Sequence, residues 1–272
     1  MKTIQKRVLP IGVQSFEKIR RHQFLYVDKT KFIYDLAANS GAYFLARPRR
    51  FGKSLLTTTM EAYFSGQKDL FNGLKISELE EEGPTGVTKF SHVSIFSDLN
   101  QLKDISMMPD YNEICGLTMD EIAENFYPEI SDLASEDGLT VEEEKKKLAE
   151  WYDGYLFADE GKAIFNPFSV LNVLADKKYK NYWFGTGTPT FLIRTLKRTG
   201  YDIRLLEKGT EQKAEAFTNY FADSNSPIPL FYQSGYLTIK GYDKTFDVYK
   251  LGLPNREVKY SLFNSLPSVI ST

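Results

Sequence analysis

The stretch that most constrains this chain is a strand, a basic loop and a helix in immediate succession. Ala42 to Ala46 reads as a short buried strand, because its Tyr, Phe and Leu form an apolar run too brief for a helix. It leads directly into Arg47-Pro48-Arg49-Arg50-Phe51-Gly52-Lys53-Ser54. Beyond that, Leu55, Leu56, Met60 and Phe64 fall on one predicted helical face, with Gly66 placed to end it. Gly52-Lys53-Ser54 closes the phosphate-loop pattern G-x-x-x-x-G-K-[ST], with Arg47 standing where that pattern has its first glycine. In such a loop, backbone N–H groups at the helix start converge on phosphates and the lysine reaches the outer ones. Ser54 would supply a hydroxyl to Mg²⁺. The bland alternative is an ordinary basic turn leading into a helix. The strand before it and the amphipathic helix after it favour phosphate.

Arg49 and Arg50 could grip phosphate oxygens in bidentate fashion or remain solvated surface charges, and the sequence leaves both open. Arg47 is the more structural of the three, since it must replace a glycine without blocking the loop. Hydrolysis needs a further part, an apolar strand ending in an acidic residue that holds the metal and positions water. No such strand reads out between Ser54 and Lys89. Glu78 to Glu82 follow Lys75-Ile76-Ser77, which is not an apolar strand, and Leu156-Phe157-Ala158-Asp159-Glu160 follows Gly154-Tyr155, where a turn is expected.

Composition removes several other classes. Lys plus Arg number 34 against 36 Asp plus Glu, for a net charge of -2, so a globally basic nucleic-acid binder is not expected. A single cysteine, Cys115, cannot form an internal disulfide and reads as a small buried apolar residue. Two histidines, His22 and His92, do not build a Cys/His zinc site. No apolar run suits a signal peptide or a membrane span, so the expectation is a cytoplasmic protein without a membrane partner. At 272 residues, with aromatics at 14%, one or two packed domains are expected.

Along the chain, Asp28 is a candidate N-cap for a helix carrying Phe32, Ile33, Leu36 and Ala37, ending near Gly41. Residues 67 to 86 turn polar and read as an exposed linker, and Thr88 to Phe96 as a strand. Capping boxes at Thr118/Glu121 and Thr140/Glu143 predict helix over roughly 118 to 152. Asn166-Pro167 and Thr188-Pro189 read as further helix starts, the second running to Gly200. From Leu230 on, Leu230 to Lys240, Phe246 to Leu251 and Glu257 to Phe263 read as strands.

Several stretches together resemble the bacterial AAA-ATPase-like proteins of uncharacterised function: Leu9-Pro10-Ile11-Gly12, Phe24 to Thr30, Arg47 to Leu55, Thr85 to Phe90 with Val93 to Phe96, Ile114-Cys115-Gly116, Trp151 to Tyr155, Asn166 to Ser169, and Tyr182-Trp183 with Thr186 to Pro189. In that family an arginine at the first glycine position is normal. The resemblance implies binding of ATP with Mg²⁺, with Arg49, Arg50, Phe51, Gly52, Lys53, Ser54 and Leu55 at the nucleotide and Asp28 and Lys29 near its pocket. It places Thr85 to Lys89 after a core strand beside the phosphates. It also implies a long segment with the acidic strand, which is not found here, and a following PD-(D/E)XK nuclease-like domain, for which no room is expected before Thr272.

The fold expectation is therefore α/β. Residues 1–100 would form a reduced P-loop NTPase-like core, 101–228 a helical region, and 229–272 a small β-hairpin-containing part of winged-helix kind. The leading functional expectation is a protein that binds ATP or a related nucleotide and hydrolyses it weakly or not at all. Its rival is a non-enzymatic module that binds a protein partner, with nucleic acid entering only by family analogy. A third, remoter reading takes Asp247, Glu257 and Lys259 as a D…E-x-K nuclease set, Glu257 and Lys259 sharing a strand face, against a plain hairpin turning at Pro254-Asn255. Likewise Trp151 to Tyr155 reads as a packed helix end.

Overall fold

A computed structural model describes residues 7–39, 41–82, 102–183, 190–218 and 226–264. The chain is mixed α/β, and its residues sort into two compact units. One comprises Met1–Leu45 and Gly52–Ser106, the other Ala46–Phe51 and Met107–Thr272. The boundary falls within the basic loop. Among the described residues no helix is long and apolar enough to cross a membrane.

The first unit holds α1 (Phe16–Arg21), α2 (Thr30–Ala38), β1 (Tyr43–Phe44), α3 (Lys53–Phe64), α4 (Lys75–Glu82) and β2 (Lys103–Asp104). β1 pairs in parallel with β2, Tyr43 opposite Lys103 and Phe44 opposite Asp104. The core is Phe16, Ile33, Ala62, Leu70, Phe71, Leu74 and Ile76, with Leu55, Leu56, Met60 and Tyr63 of α3 packed against it. Phe64, expected on that face, is 36% exposed, and Tyr63 points inward in its place. The polar stretch after Gly66 is not a linker as far as it is described. Leu70, Phe71, Leu74 and Ile76 are buried, and on α4 Glu78 and Glu81 are exposed while Glu80 accepts the Tyr63 hydroxyl at 2.8 Å. Thr85 to Lys89 and the strand expected over Thr88 to Phe96 lie outside the described residues.

The second unit begins with α5 (Met119–Asn125), α6 (Tyr127–Asp137), α7 (Val141–Tyr152) and α8 (Pro167–Asp176). Both capping boxes form as expected. Thr118 accepts from the Glu121 N–H and Thr140 from the Glu143 N–H, each glutamate returning the bond. Asn166 caps α8 by accepting from the Phe168 and Ser169 N–H groups, with Pro167 in the first turn. Trp151 to Tyr155 is a helix end and turn, with Tyr152 and Tyr155 buried, and Cys115 is buried as well.

Next come α9 (Thr190–Thr199), α10 (Leu205–Lys208), β3 (Thr210–Gln212), α11 (Ala214–Thr218), α12 (Ile228–Ser234), β4 (Thr238–Asp243), β5 (Val248–Gly252) and α13 (Arg256–Asn264). The strands form one antiparallel sheet in the order β3-β5-β4. Residues 184–189, with Thr188-Pro189, lie outside the described residues. Two of the expected strands are corrected. Residues 230–234 belong to α12, where Phe231 is fully buried, and 257–263 belong to α13. The hairpin turns between Asp243 and Val248 rather than at Pro254-Asn255.

Candidate functional site

α3 starts at Lys53, with Gly52 as its N-cap. Gly52 has φ +91°, a left-handed conformation that a side chain would strain, so glycine belongs here for backbone reasons. The Gly52 carbonyl accepts the Leu56 N–H at 2.9 Å, and no side chain caps the helix start. The first N–H groups of any helix lack intrahelical acceptors and carry the positive end of its dipole. Twelve residues of helix therefore present their N-terminus at Gly52-Lys53-Ser54. Ser54 is exposed on the first turn, while Leu55 turns toward the core. An exposed hydroxyl there is a hard oxygen donor of the kind Mg²⁺ takes. Among the described residues no group of three or more His, Cys, Asp or Glu could hold a metal ion.

Asp28 and Lys29 stand at the entrance of α2, but Lys29 takes the N-cap position expected of Asp28. Both Asp28 carboxylate oxygens are occupied. Oδ1 accepts from the Thr30 N–H at 2.8 Å and the Thr30 hydroxyl at 2.7 Å, and Oδ2 from the Lys75 N–H at 2.7 Å. The Ile76 N–H donates to Thr30 Oγ1 at 3.1 Å. Asp28 and Thr30 thus hold the starts of α2 and α4 together.

The arginines of the loop each rest on an aromatic ring of the second unit. Arg47 is buried, its guanidinium 4.2 Å from the Phe157 ring centre and donating to the Tyr111 carbonyl at 2.8 Å. This is the structural role expected of it. Arg49 lies 4.8 Å from the Trp183 ring, whose Nε1–H donates to the Arg49 carbonyl at 3.3 Å. Arg50 lies 3.8 Å from the Phe168 ring and donates to the Tyr182 carbonyl at 3.1 Å. Phe51 is fully buried and packs edge-on against Tyr155 and Phe157. Its carbonyl accepts the Gly116 N–H at 3.1 Å. A planar, weakly hydrated guanidinium favours such stacking in a way a lysine would not.

Behind this surface lies Glu257, 1% exposed. Its Oε1 accepts the Trp183 N–H at 2.8 Å and its Oε2 the Ser169 hydroxyl at 2.8 Å. Burial pushes its carboxyl up to about 7, against the pull of these bonds and of the Arg50 charge. The nuclease set does not survive. Glu257 and Lys259 sit on a helix and diverge, Glu257 inward and Lys259 outward to pair with Glu207 at 3.0 Å. Asp247, at the hairpin tip, accepts the Tyr242 hydroxyl at 2.7 Å. Leu156 to Glu160 form no strand, and Glu78 to Glu82 lie on α4. Sequence reasoning missed Phe157, Phe168 and Glu257 as partners of the loop. Phe168, within Asn166 to Ser169, and Tyr182-Trp183 entered only through the family resemblance, without a role at the loop.

Strand, basic loop and helix thus follow one another in the order the sequence predicts. The family described as predicted AAA-ATPase matches residues 10–156, more than half of the chain, and the chain belongs to that AAA-ATPase-like family. An uncharacterised protein from the vnfD 5' region of Azotobacter chroococcum mcd 1 is 29% identical over 378 residues, covering 97% of this chain and 70% of its own length. Since 378 positions exceed the 272 residues present here, the relative carries a long stretch inside the match with no counterpart in this chain. No solved structure matches.

Proposed function

We propose that this chain binds ATP or a related nucleotide at the N-terminus of α3, with Lys53 on the outer phosphates and Ser54 on a bound Mg²⁺. One observation carries the reading: Gly52, left-handed and without side-chain cap, opens a twelve-residue helix on Lys53 and Ser54. A capping Ser or Asp there would compete with a phosphate for the same N–H groups. Leu55 supports the site from the core side.

Hydrolysis is weak or lost in this proposal. The acidic run Glu78 to Glu82 belongs to a helix packed by Ile76, not to the end of an apolar strand. The finer fold reading is part of the proposal. β1 and β2 would be what the chain keeps of a P-loop sheet. The succession α9, α10, β3, α11, α12, β4, β5 with sheet order β3-β5-β4 supports a winged-helix-like part.

Thermal unfolding with and without Mg²⁺-ATP tests this. A ligand at a hundred times its Kd adds about 2.7 kcal/mol to stability. The midpoint is expected to rise with nucleotide in the wild type and stay fixed in Lys53→Ala. An equal rise in both contradicts the site.

A further inference from the structure

Glu144, on the first turn of α7, is fully buried. Its Oε1 accepts the hydroxyl of Tyr179, in the segment after α8. Its Oε2 is buried as well and meets no donor. An ionised carboxylate in an apolar interior is costly unless donors meet both oxygens, and taking up a proton is the ordinary relief. A second carboxylate stands beside it. Asp137, the last residue of α6, lies within hydrogen-bonding reach of Glu144. Asp137 Oδ2 takes the Lys147 ammonium at 2.5 Å, and that ammonium lies 4.3 Å from the Tyr179 ring centre. Four side chains from α6, α7 and the segment after α8 thus close on one another within the second unit.

We propose that Glu144 and Asp137 bind one proton between them: it sits on Glu144 Oε2, which donates to the Asp137 carboxylate, and so ties the end of α6 to α7 and to Tyr179. One proton satisfies every member. Glu144 Oε1 still accepts the Tyr179 hydroxyl, Oε2 gains a partner, and the two carboxyls together carry one charge against the one of Lys147. Its loss leaves two like charges side by side, one of them buried, with a single ammonium to offset both. Burial pushes the Glu144 carboxyl above its ordinary value and the Asp137 charge adds to this, against the pull of the Tyr179 hydroxyl and the Lys147 ammonium. From the other elements at this corner, Lys177 at the end of α8 is turned to the Glu129 carbonyl at 2.8 Å, and Arg256 of α13 rests on the Trp151 ring. A carboxyl raised on folding contributes most below its unfolded value, so the tie is closed at low pH and loosens as pH rises through the folded value. None of this depends on the nucleotide reading.

Carboxyl NMR of the assigned, isotope-labelled protein follows Glu144 directly from acid to mildly alkaline pH. Its midpoint is expected above the ordinary 4.5, and to fall in Asp137→Asn, which removes both the like charge and the acceptor. Hydrogen exchange reads the tie itself. The Leu139 N–H, just past α6, donates to the Ala134 carbonyl at 2.9 Å. Its protection is expected to drop roughly tenfold as Glu144 ionises in the wild type. In Glu144→Gln a side-chain N–H takes the place of the proton, so protection should stay high across the same range. A Glu144 midpoint at or below 4.5, or one unmoved in Asp137→Asn, overturns the shared proton. Leu139 protection that ignores pH in the wild type, or falls equally in Glu144→Gln, overturns the tie. Asp137→Asn alters a partly exposed side chain and carries the test even where Glu144→Gln folds poorly.

Discussion

Asp28 accepts the backbone N–H of Lys75 at 2.7 Å, so one carboxylate oxygen holds the first N–H of α4 while the other holds the first N–H of α2. The two helix starts are joined across 47 residues of sequence. Each lost cap costs about 1 kcal/mol, so Asp28→Ala is expected to destabilise the protein by roughly 2 kcal/mol. Urea unfolding measures this. Unchanged stability with a loss of nucleotide affinity would instead make Asp28 a nucleotide contact.

Arg47 stands where the phosphate-loop pattern has glycine, and Arg47→Gly restores the pattern on paper. In the structure it removes a buried guanidinium from the Phe157 ring and takes the shorter of two donors from the Tyr111 carbonyl, which keeps the Ile114 N–H at 3.3 Å. The expected result is a loss of about 2–4 kcal/mol and no gain in nucleotide affinity. Tighter binding by a stable Arg47→Gly variant would contradict it.

Gly116 has φ +93°, and a Cβ there would lie 2.2 Å from Ile164 Cγ2 and 3.2 Å from the Phe51 ring. Gly116→Ala combines backbone strain with overpacking, for a loss of about 3 kcal/mol or more. A thermal midpoint equal to wild type would show that the Phe51 turn gives way more easily than its packing indicates.

The pH dependence of stability follows from raised carboxyl groups. Glu257 titrates at about 7 when folded against 4.5 ordinarily, and burial likewise raises Asp153 from 3.8 to about 6. Between the unfolded and folded values the native state holds the extra proton. These two groups therefore contribute most below the unfolded values, and their contribution is lost as pH rises toward 7. Unfolding free energies at pH 5 and pH 8 should show a smaller fall in Glu257→Gln than in wild type. An equal fall would assign the effect to other groups.

Local signals carried much of the fold. Thr118 with Glu121, Thr140 with Glu143, and Asn166 before Pro167 satisfy their own helix starts within three residues, so sequence suffices to see them. α13 was hidden by its burial pattern. Glu257, Val258, Ser261 and Leu262 are buried at helical spacing, but two of these are polar, and the surface reads as the alternation of a strand. α4 was hidden by its glutamates, its packing resting on Ile76 and the preceding Leu70, Phe71 and Leu74. At the site, Gly52-Lys53-Ser54 at a helix start was legible. The rings under Arg47, Arg49 and Arg50 were not, because they come from more than a hundred residues downstream, where no local pattern links a guanidinium to its ring.

The most direct test of the central claim is an equilibrium titration of ATP with Mg²⁺ against the wild type and Lys53→Ala, at a pH above 7. The account predicts saturable one-site binding by the wild type, weakened at least about tenfold in a folded Lys53→Ala variant. Equal affinity in the two proteins, or none in either, would contradict it.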